Sequence, residues 1–199
     1  MRRTLAAVLI IMMIGLAFGA CPASAQTASA AASGGKLGLT LAGLVTHAGS
    51  AGSSIALSLG YLVFDPSSGT GADLANASLI TAVAVVAAKV LLGRARPYVE
   101  GAGGRFTGFS LDGAYHSMPS GHTANAFAMA TVLADRYTTA APALYAAAAA
   151  VGASRVALGV HWVSDVLVGA MVGVTIGRAV AEGRLRVLEL SAPDAPPAR

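Results

Sequence analysis

The chain has 199 residues, a length suited to one domain, and carries a net charge of +4 with only 11% charged side chains. With 55% hydrophobic residues and a mean hydropathy of +0.68 it is too apolar for a typical soluble protein and points to a membrane. The basic residues are scattered rather than run together, which argues against nucleic acid as a partner, and Cys21 as the single cysteine excludes an intrachain disulfide and a cysteine-based zinc site.

Residues 1–25 read as an export leader. Arg2 and Arg3 give a charged start, 5–18 is an apolar run, and Ala23-Ser24-Ala25 is a small-x-small cleavage site. Two alternatives stay open: an uncleaved first membrane helix, and a lipidated N-terminus at Cys21. Residues 26–36 form a low-complexity linker. The domain proper is expected over 37–182 as an all-α bundle of five to six helices with the active site at one end. A short helix is followed by a better one over 55–64, then a turn-rich loop over 65–73. Helices are predicted over 74–92, 120–137, 141–158 and 163–181. Between the first two of these lies a glycine-rich loop, 93–118. Residues 183–199 are expected to form a disordered polar tail. Gly169, Gly173 and Gly177, at four-residue spacing on the last helix, would let another backbone approach closely, a packing mode favoured in membranes.

If the leader crosses first and the helices then alternate, the loop with Arg96, His122 and His161 all face the periplasm. Arg136, Arg178, Arg184 and Arg186 then fall on the cytoplasmic side, as the positive-inside rule prefers. Arg94 and Arg96 break that rule, which a functional role would explain. The apolar stretches fall short of the ~20 residues of a comfortable span, so a soluble periplasmic bundle also stays open.

Three segments carry the chemistry. Lys89 to Pro97 reads K-x-x-x-x-x-x-R-P, Pro119 to His122 reads PSGH, and Ser154 to Asp165 reads S-R-x-x-x-x-x-H-x-x-x-D. Each lies at the mouth of a helix. Ser120 is a natural N-cap, which leaves His122 and free N–H groups at a helix N-terminus where an anion is favoured. Lys89 is a charge deep in an apolar helix and needs a partner. Lys89, Arg96 and Arg155 would repel one another unless they share an anion, and the arginine fork suits phosphate. His161 and Asp165 are four apart, so the carboxylate could hold one ring nitrogen and leave the other free to attack. His122 would be the second histidine, able to protonate a leaving oxygen. Taken singly, the same residues have plainer readings. Lys89 could snorkel, Arg155 could cap a helix, and His161 alone is more often structural than catalytic. Trp162 is an interfacial anchor, and Arg94 reads as a surface residue or one supporting the site from behind. His47 has no supporting pattern, and His116 lies near enough to PSGH to line the pocket.

In this order and spacing the three motifs resemble the type-2 phosphatidic acid phosphatase superfamily, which also contains bacterial acid phosphatases and vanadium haloperoxidases. The resemblance covers about 54–180, with every defining position filled. It implies a phosphatase with no metal or other cofactor, working through a phosphohistidine. His161 would attack phosphorus, Asp165 would orient it, and His122 would serve as general acid and then base. Lys89, Arg96 and Arg155 would hold the phosphoryl oxygens, with Ser120 and the Gly121 N–H completing the cradle. The expected substrate is a phosphorylated lipid or small molecule, with phosphomonoester or diphosphate bonds cleaved on the periplasmic face of the inner membrane. Two other functions stay open: a soluble periplasmic acid phosphatase of broad specificity, and a non-catalytic membrane protein that keeps the fold. Oligomeric state has no signature, and the 98–118 loop is expected to help choose the substrate.

Overall fold

The computed structural model describes residues 36–190; the leader, the linker up to residue 35 and the tail beyond residue 190 lie outside them. The described chain forms six α-helices: α1 (Lys36–Thr46), α2 (Ala51–Phe64), α3 (Thr70–Leu92), α4 (Gly121–Arg136), α5 (Ala141–Ala157) and α6 (Val163–Ala181). Among the described residues there is no strand, only an isolated bridge between Arg94 and Phe106. The all-α bundle is therefore as expected. Three helix starts differ from the sequence reading: α2 begins at Ala51 rather than at residue 55, capped by the Ser50 side chain, which accepts from the Ser53 N–H. Lys36 already belongs to α1, and α3 starts at Thr70 rather than at residue 74. Gly69, at φ +70, turns the chain into α3, and Gly71 sits where an added Cβ would lie 2.8 Å from the backbone of Leu62 on α2. The glycine-rich stretch that reads as loop is thus the first helical turn, packed too tightly for a side chain.

The core is built by α4, which packs against α3, α5 and α6. Leu57 and Tyr61 of α2, Leu74 and Ala77 of α3, Met129, Val132 and Leu133 of α4 and Val180 of α6 form its largest buried cluster. The glycine row of α6 has the role its spacing implies. A Cβ on Gly173 would lie 2.1 Å from the Ala124 carbonyl oxygen, and one on Gly177 would lie 2.7 Å from that of Ala128. Backbone meets backbone along this seam.

Outward faces are apolar. Ile55, Leu59 and Val63 on α2, Val83 and Val86 on α3, and Leu167 and Met171 on α6 are all more than half exposed. Among the described residues, three segments are long and apolar enough to cross a membrane: Thr70–Leu92, Thr138–Ala157 and Val163–Ala181, of 23, 20 and 19 residues.

The segment after α6 is held in place as far as it is described. Asn76, fully buried on α3, accepts from the backbone N–H groups of Val187 and Leu188, each at 2.7 Å. Its amide nitrogen donates to the Leu188 carbonyl at 2.9 Å. The first part of the tail expected to be disordered is thus strapped across the bundle.

Candidate active site

Four helix ends meet at one end of the bundle. They are the C-terminus of α3 with Lys89, the N-terminus of α4 with His122, the C-terminus of α5 with Arg155, and the N-terminus of α6 with Asp165. The turn between α1 and α2 closes one side. A Cβ on Gly49 would lie 2.4 Å from the His122 carbonyl oxygen, and Asn125 of α4 donates to the Gly49 and Ser50 carbonyls at 3.2 and 3.3 Å.

The loop between α3 and α4 folds back over this end. Gly93 ends α3 at φ +55, and an added Cβ there would lie 1.8 Å from the Gly108 carbonyl oxygen, so only glycine fits. Backbone bonds from Ala95 to Arg105, Arg96 to Ala114 and Ser117 to Arg94 fix the loop. It enters α4 through the cis Met118–Pro119 bond. Ser120 stands at the N-cap as expected, but its hydroxyl accepts from Thr123 Oγ1 at 2.9 Å instead of capping a backbone N–H. Its own N–H donates to the Asp165 carbonyl at 3.0 Å, tying the start of α4 to the start of α6. Gly121 lies beside the Lys89 stem, with 3.9 Å between the position of an added Cβ and Lys89 Cε.

Asp165 is the hub. Its carboxylate is fully buried, with Oδ1 held by Arg94 Nη1 at 2.5 Å. Oδ2 accepts from Ser117 Oγ at 2.5 Å and from the Trp162 N–H at 2.9 Å, and lies 3.4 Å from His161 Nδ1. With this geometry the Nδ1–H of His161 points to the carboxylate and Nε2 is the lone-pair nitrogen. His161 is 3% exposed. Burial, followed by the positive charges of Lys89, Arg96 and Arg155, outweighs the hydrogen bond to Asp165 and pulls the imidazole down to about 4. The ring is therefore neutral near pH 7.

Lys89 donates from Nζ to the His116 carbonyl at 2.6 Å. Arg96 donates from Nε to the Gly113 carbonyl at 3.1 Å and from Nη1 to that of Val160 at 3.4 Å. Arg155 donates from Nη1 to Thr46 Oγ1 at 2.7 Å, and its Nε is buried with no partner. All three cations act on His161. Asp165 is the carboxylate among them, and Arg94 already grips it. The remaining positive charge, together with the orphaned Arg155 N–H, suits an anion with several oxygens. His122 lies within electrostatic reach of His161, Arg155 and Lys89.

Every residue singled out for the site from sequence thus lies at this one end: Lys89, Arg96, Ser120, Gly121, His122, Arg155, His161 and Asp165. Two residues were missed or under-read. Ser117 carries no motif signal. Arg94, read as peripheral, is the direct partner of Asp165; its spacing of two from Arg96 along an extended stretch was the available clue, since alternate side chains there share a side. His116 contributes its backbone carbonyl to Lys89, while its ring nitrogen Nε2 bonds the Ser110 carbonyl at 2.8 Å.

From the Lys89 and His122 side of the site a cavity of about 590 Å³ runs between α2, α3 and α4. Its walls include Leu59, Leu62, Leu79 and Val86, and Leu188 and Leu190 of the strapped segment also line it.

The sequence profile of the PAP2 superfamily matches residues 70–186. The chain is 47% identical over 68 residues to a lipid A 1-phosphatase of Porphyromonas gingivalis, a match covering 32% of this chain and 15% of that protein. Two crystal structures share the fold. LpxE of Aquifex aeolicus superposes with a TM-score of 0.63 at 24% identity, over 75% of this chain and 88% of that one. The transmembrane PAP2-type phosphatidylglycerolphosphate phosphatase of Bacillus subtilis gives 0.60 at 21%, over 89% and 94%.

Proposed function

Because the chain belongs to the PAP2 superfamily, we propose that it is a lipid phosphatase that works through a phosphohistidine. The observation that carries this reading is the excess of positive charge around a buried, neutral histidine. Lys89, Arg96 and Arg155 surround His161, while Asp165 is taken up by Arg94, Ser117 and Trp162. A phosphoryl group supplies the missing negative charge, and its spread over three oxygens is what such a cradle stabilises as the reaction proceeds.

In the first step His161 Nε2 attacks phosphorus, a P–N bond forms and the bond to the leaving oxygen breaks. His122 gives that oxygen a proton. The Nδ1–H on Asp165 stabilises the cationic phosphohistidine. In the second step water attacks phosphorus, His122 takes its proton, the P–N bond breaks, and inorganic phosphate leaves with His161 neutral again. Ser120 and the Gly121 N–H complete the cradle beside Lys89.

A lipid substrate is favoured by the apolar cavity that reaches the Lys89 and His122 side, and by the exposed apolar residues on α2 and α3 that border it. The lipid A 1-phosphatase likeness points the same way. Charge supports a periplasmic placement of the site: Arg136 and Arg178 lie in the last turns of α4 and α6, away from the site end, and Arg184 and Arg186 follow α6, where the positive-inside rule would put the cytoplasm.

The test is phosphate release from p-nitrophenyl phosphate, phosphatidic acid, lipid A and undecaprenyl diphosphate, with wild type and His161→Ala side by side, with and without EDTA. Release that resists EDTA, prefers a lipid and disappears in the variant is the expected result. Release from p-nitrophenyl phosphate alone would favour the broad-specificity phosphatase, and loss of release in EDTA would overturn the metal-free step.

A further inference from the structure

We propose that the strapped segment 187–190 is the floor of the lipid-tail cavity, and that Leu188 and Leu190 set the length of chain the enzyme accepts. The inference rests on the lipid-phosphatase reading and adds to it a specificity determinant far from the chemistry. Three observations carry it.

The cavity is continuous with the site. Lys89, Gly121 and His122 line one end, so a phosphate held there has its apolar tail at the cavity mouth. The cavity then follows α3 from Lys89 to Ala75. At 1.5 Å per residue that is about 20 Å, the scale of a fatty acyl chain.

The far end, beside Ala75 and Asn76, is lined by Leu188 and Leu190, which come from another part of the sequence.

The position of this segment is built into the fold. Asn76 has no exposed surface, and three of its hydrogen bonds go to the backbone of residues 187 and 188. A buried amide that spends its bonds on a distant backbone fixes that backbone in place, since freeing it would leave polar groups unpaired in an apolar interior. Leu188 is therefore held at a set depth, with Leu190 two residues beyond it, and tail carbons past that depth must leave the cavity.

The test is the ratio of kcat/KM values for dioctanoyl, dilauroyl, dipalmitoyl and distearoyl phosphatidic acid in mixed micelles, with p-nitrophenyl phosphate as a tailless control. Full-length wild type, Leu188→Trp, Leu188→Ala and Leu190→Ala are compared. Each tail methylene that the wild-type cavity buries and a variant excludes should lower kcat/KM about fourfold, the equivalent of ~0.8 kcal/mol per buried CH₂. Leu188→Trp should move the optimum to shorter chains, with roughly a tenfold or greater loss for the longest. The two alanine variants should move it to longer chains. All should turn over p-nitrophenyl phosphate like wild type. An unchanged chain-length profile in variants that still cleave lipids would overturn the proposal and leave the lipid reading standing. Wild type that cleaves only p-nitrophenyl phosphate would overturn both. Asn76→Asp serves as an independent probe: it keeps an acceptor for the two N–H groups and loses the donor to Leu188, so it should broaden the profile, and a profile as sharp as wild type would count against the strap.

Discussion

Arg94 Nη1 lies 2.5 Å from Oδ1 of Asp165, joining the start of the α3–α4 loop to the start of α6 across 71 positions of sequence. The pair occupies Oδ1 and leaves Oδ2 to Ser117, the Trp162 N–H and His161. A hydrogen bond to a charged group is worth about 1.5–3 kcal/mol. Arg94→Ala should therefore lower kcat roughly 10- to 100-fold with little change in KM, because the orientation of His161 suffers while the phosphate cradle stays. Steady-state kinetics on the best substrate checks this, and a loss confined to KM would place Arg94 in the cradle instead.

His122→Ala should slow substrates with poor leaving groups far more than those with good ones. An alkyl phosphate needs its departing oxygen protonated, and p-nitrophenolate does not. The expected losses differ by about 100-fold between the two substrates. Equal losses would count against a proton-donor role.

Arg155 has a buried Nε with no partner, and its charge acts on His161. Arg155→Ala should weaken inhibition by vanadate about 10-fold or more, since a charge-assisted bond to the oxyanion is lost. Arg155→Lys should recover only part of it, because a single ammonium cannot replace the planar fork. Thermal unfolding of each variant separates this from loss of fold.

The imidazole of His161 is held down to about 4. Its neutral form is the nucleophile, so kcat/KM should stay supported by His161 as pH falls from 7 toward 5. It should then drop about tenfold per pH unit below about 4, as the free enzyme takes up the proton. A profile on p-nitrophenyl phosphate, corrected for the ionisation of the substrate, gives the measurement. An acid limb near 6.5 would mean the ring is exposed and unperturbed.

Gly173→Ala should destabilise the bundle, because the new methyl carbon would lie 2.1 Å from the Ala124 carbonyl oxygen. Overpacking of this kind costs about 1–3 kcal/mol, which corresponds to a Tm lower by roughly 5 °C in detergent. Gly38→Ala, with nothing within 4 Å of its added carbon, is the control and should leave Tm unchanged.

The parts of the fold legible in sequence were those with local causes. The last helix appears at its expected bounds, Val163–Ala181, because an apolar run is preceded by a loop and a first-turn carboxylate. The glycine row on the same helix announced the α4–α6 seam through spacing alone. That the eight candidate residues gather at one end was legible because three fixed-spacing segments each sat at a helix mouth. What stayed hidden depended on distant partners. Asn76 in a helix gives no hint that it holds residues 187 and 188. Ser117 has no periodic neighbour to betray its bond to Asp165. The first turn of α3 was obscured by Gly71, whose presence reflects contact with Leu62, not a break in the helix.

The backbone bond from Ser120 to Asp165, reinforced by Gly169 with its would-be Cβ 2.7 Å from the Ser120 carbonyl oxygen, welds two helix starts together. Helices in a bilayer tilt to match its thickness, and thickness varies with lipid composition. Here α4 and α6 can tilt only as one body. The spacing between His122 and the His161–Asp165 pair is then set by this weld rather than by the thickness of the bilayer around it.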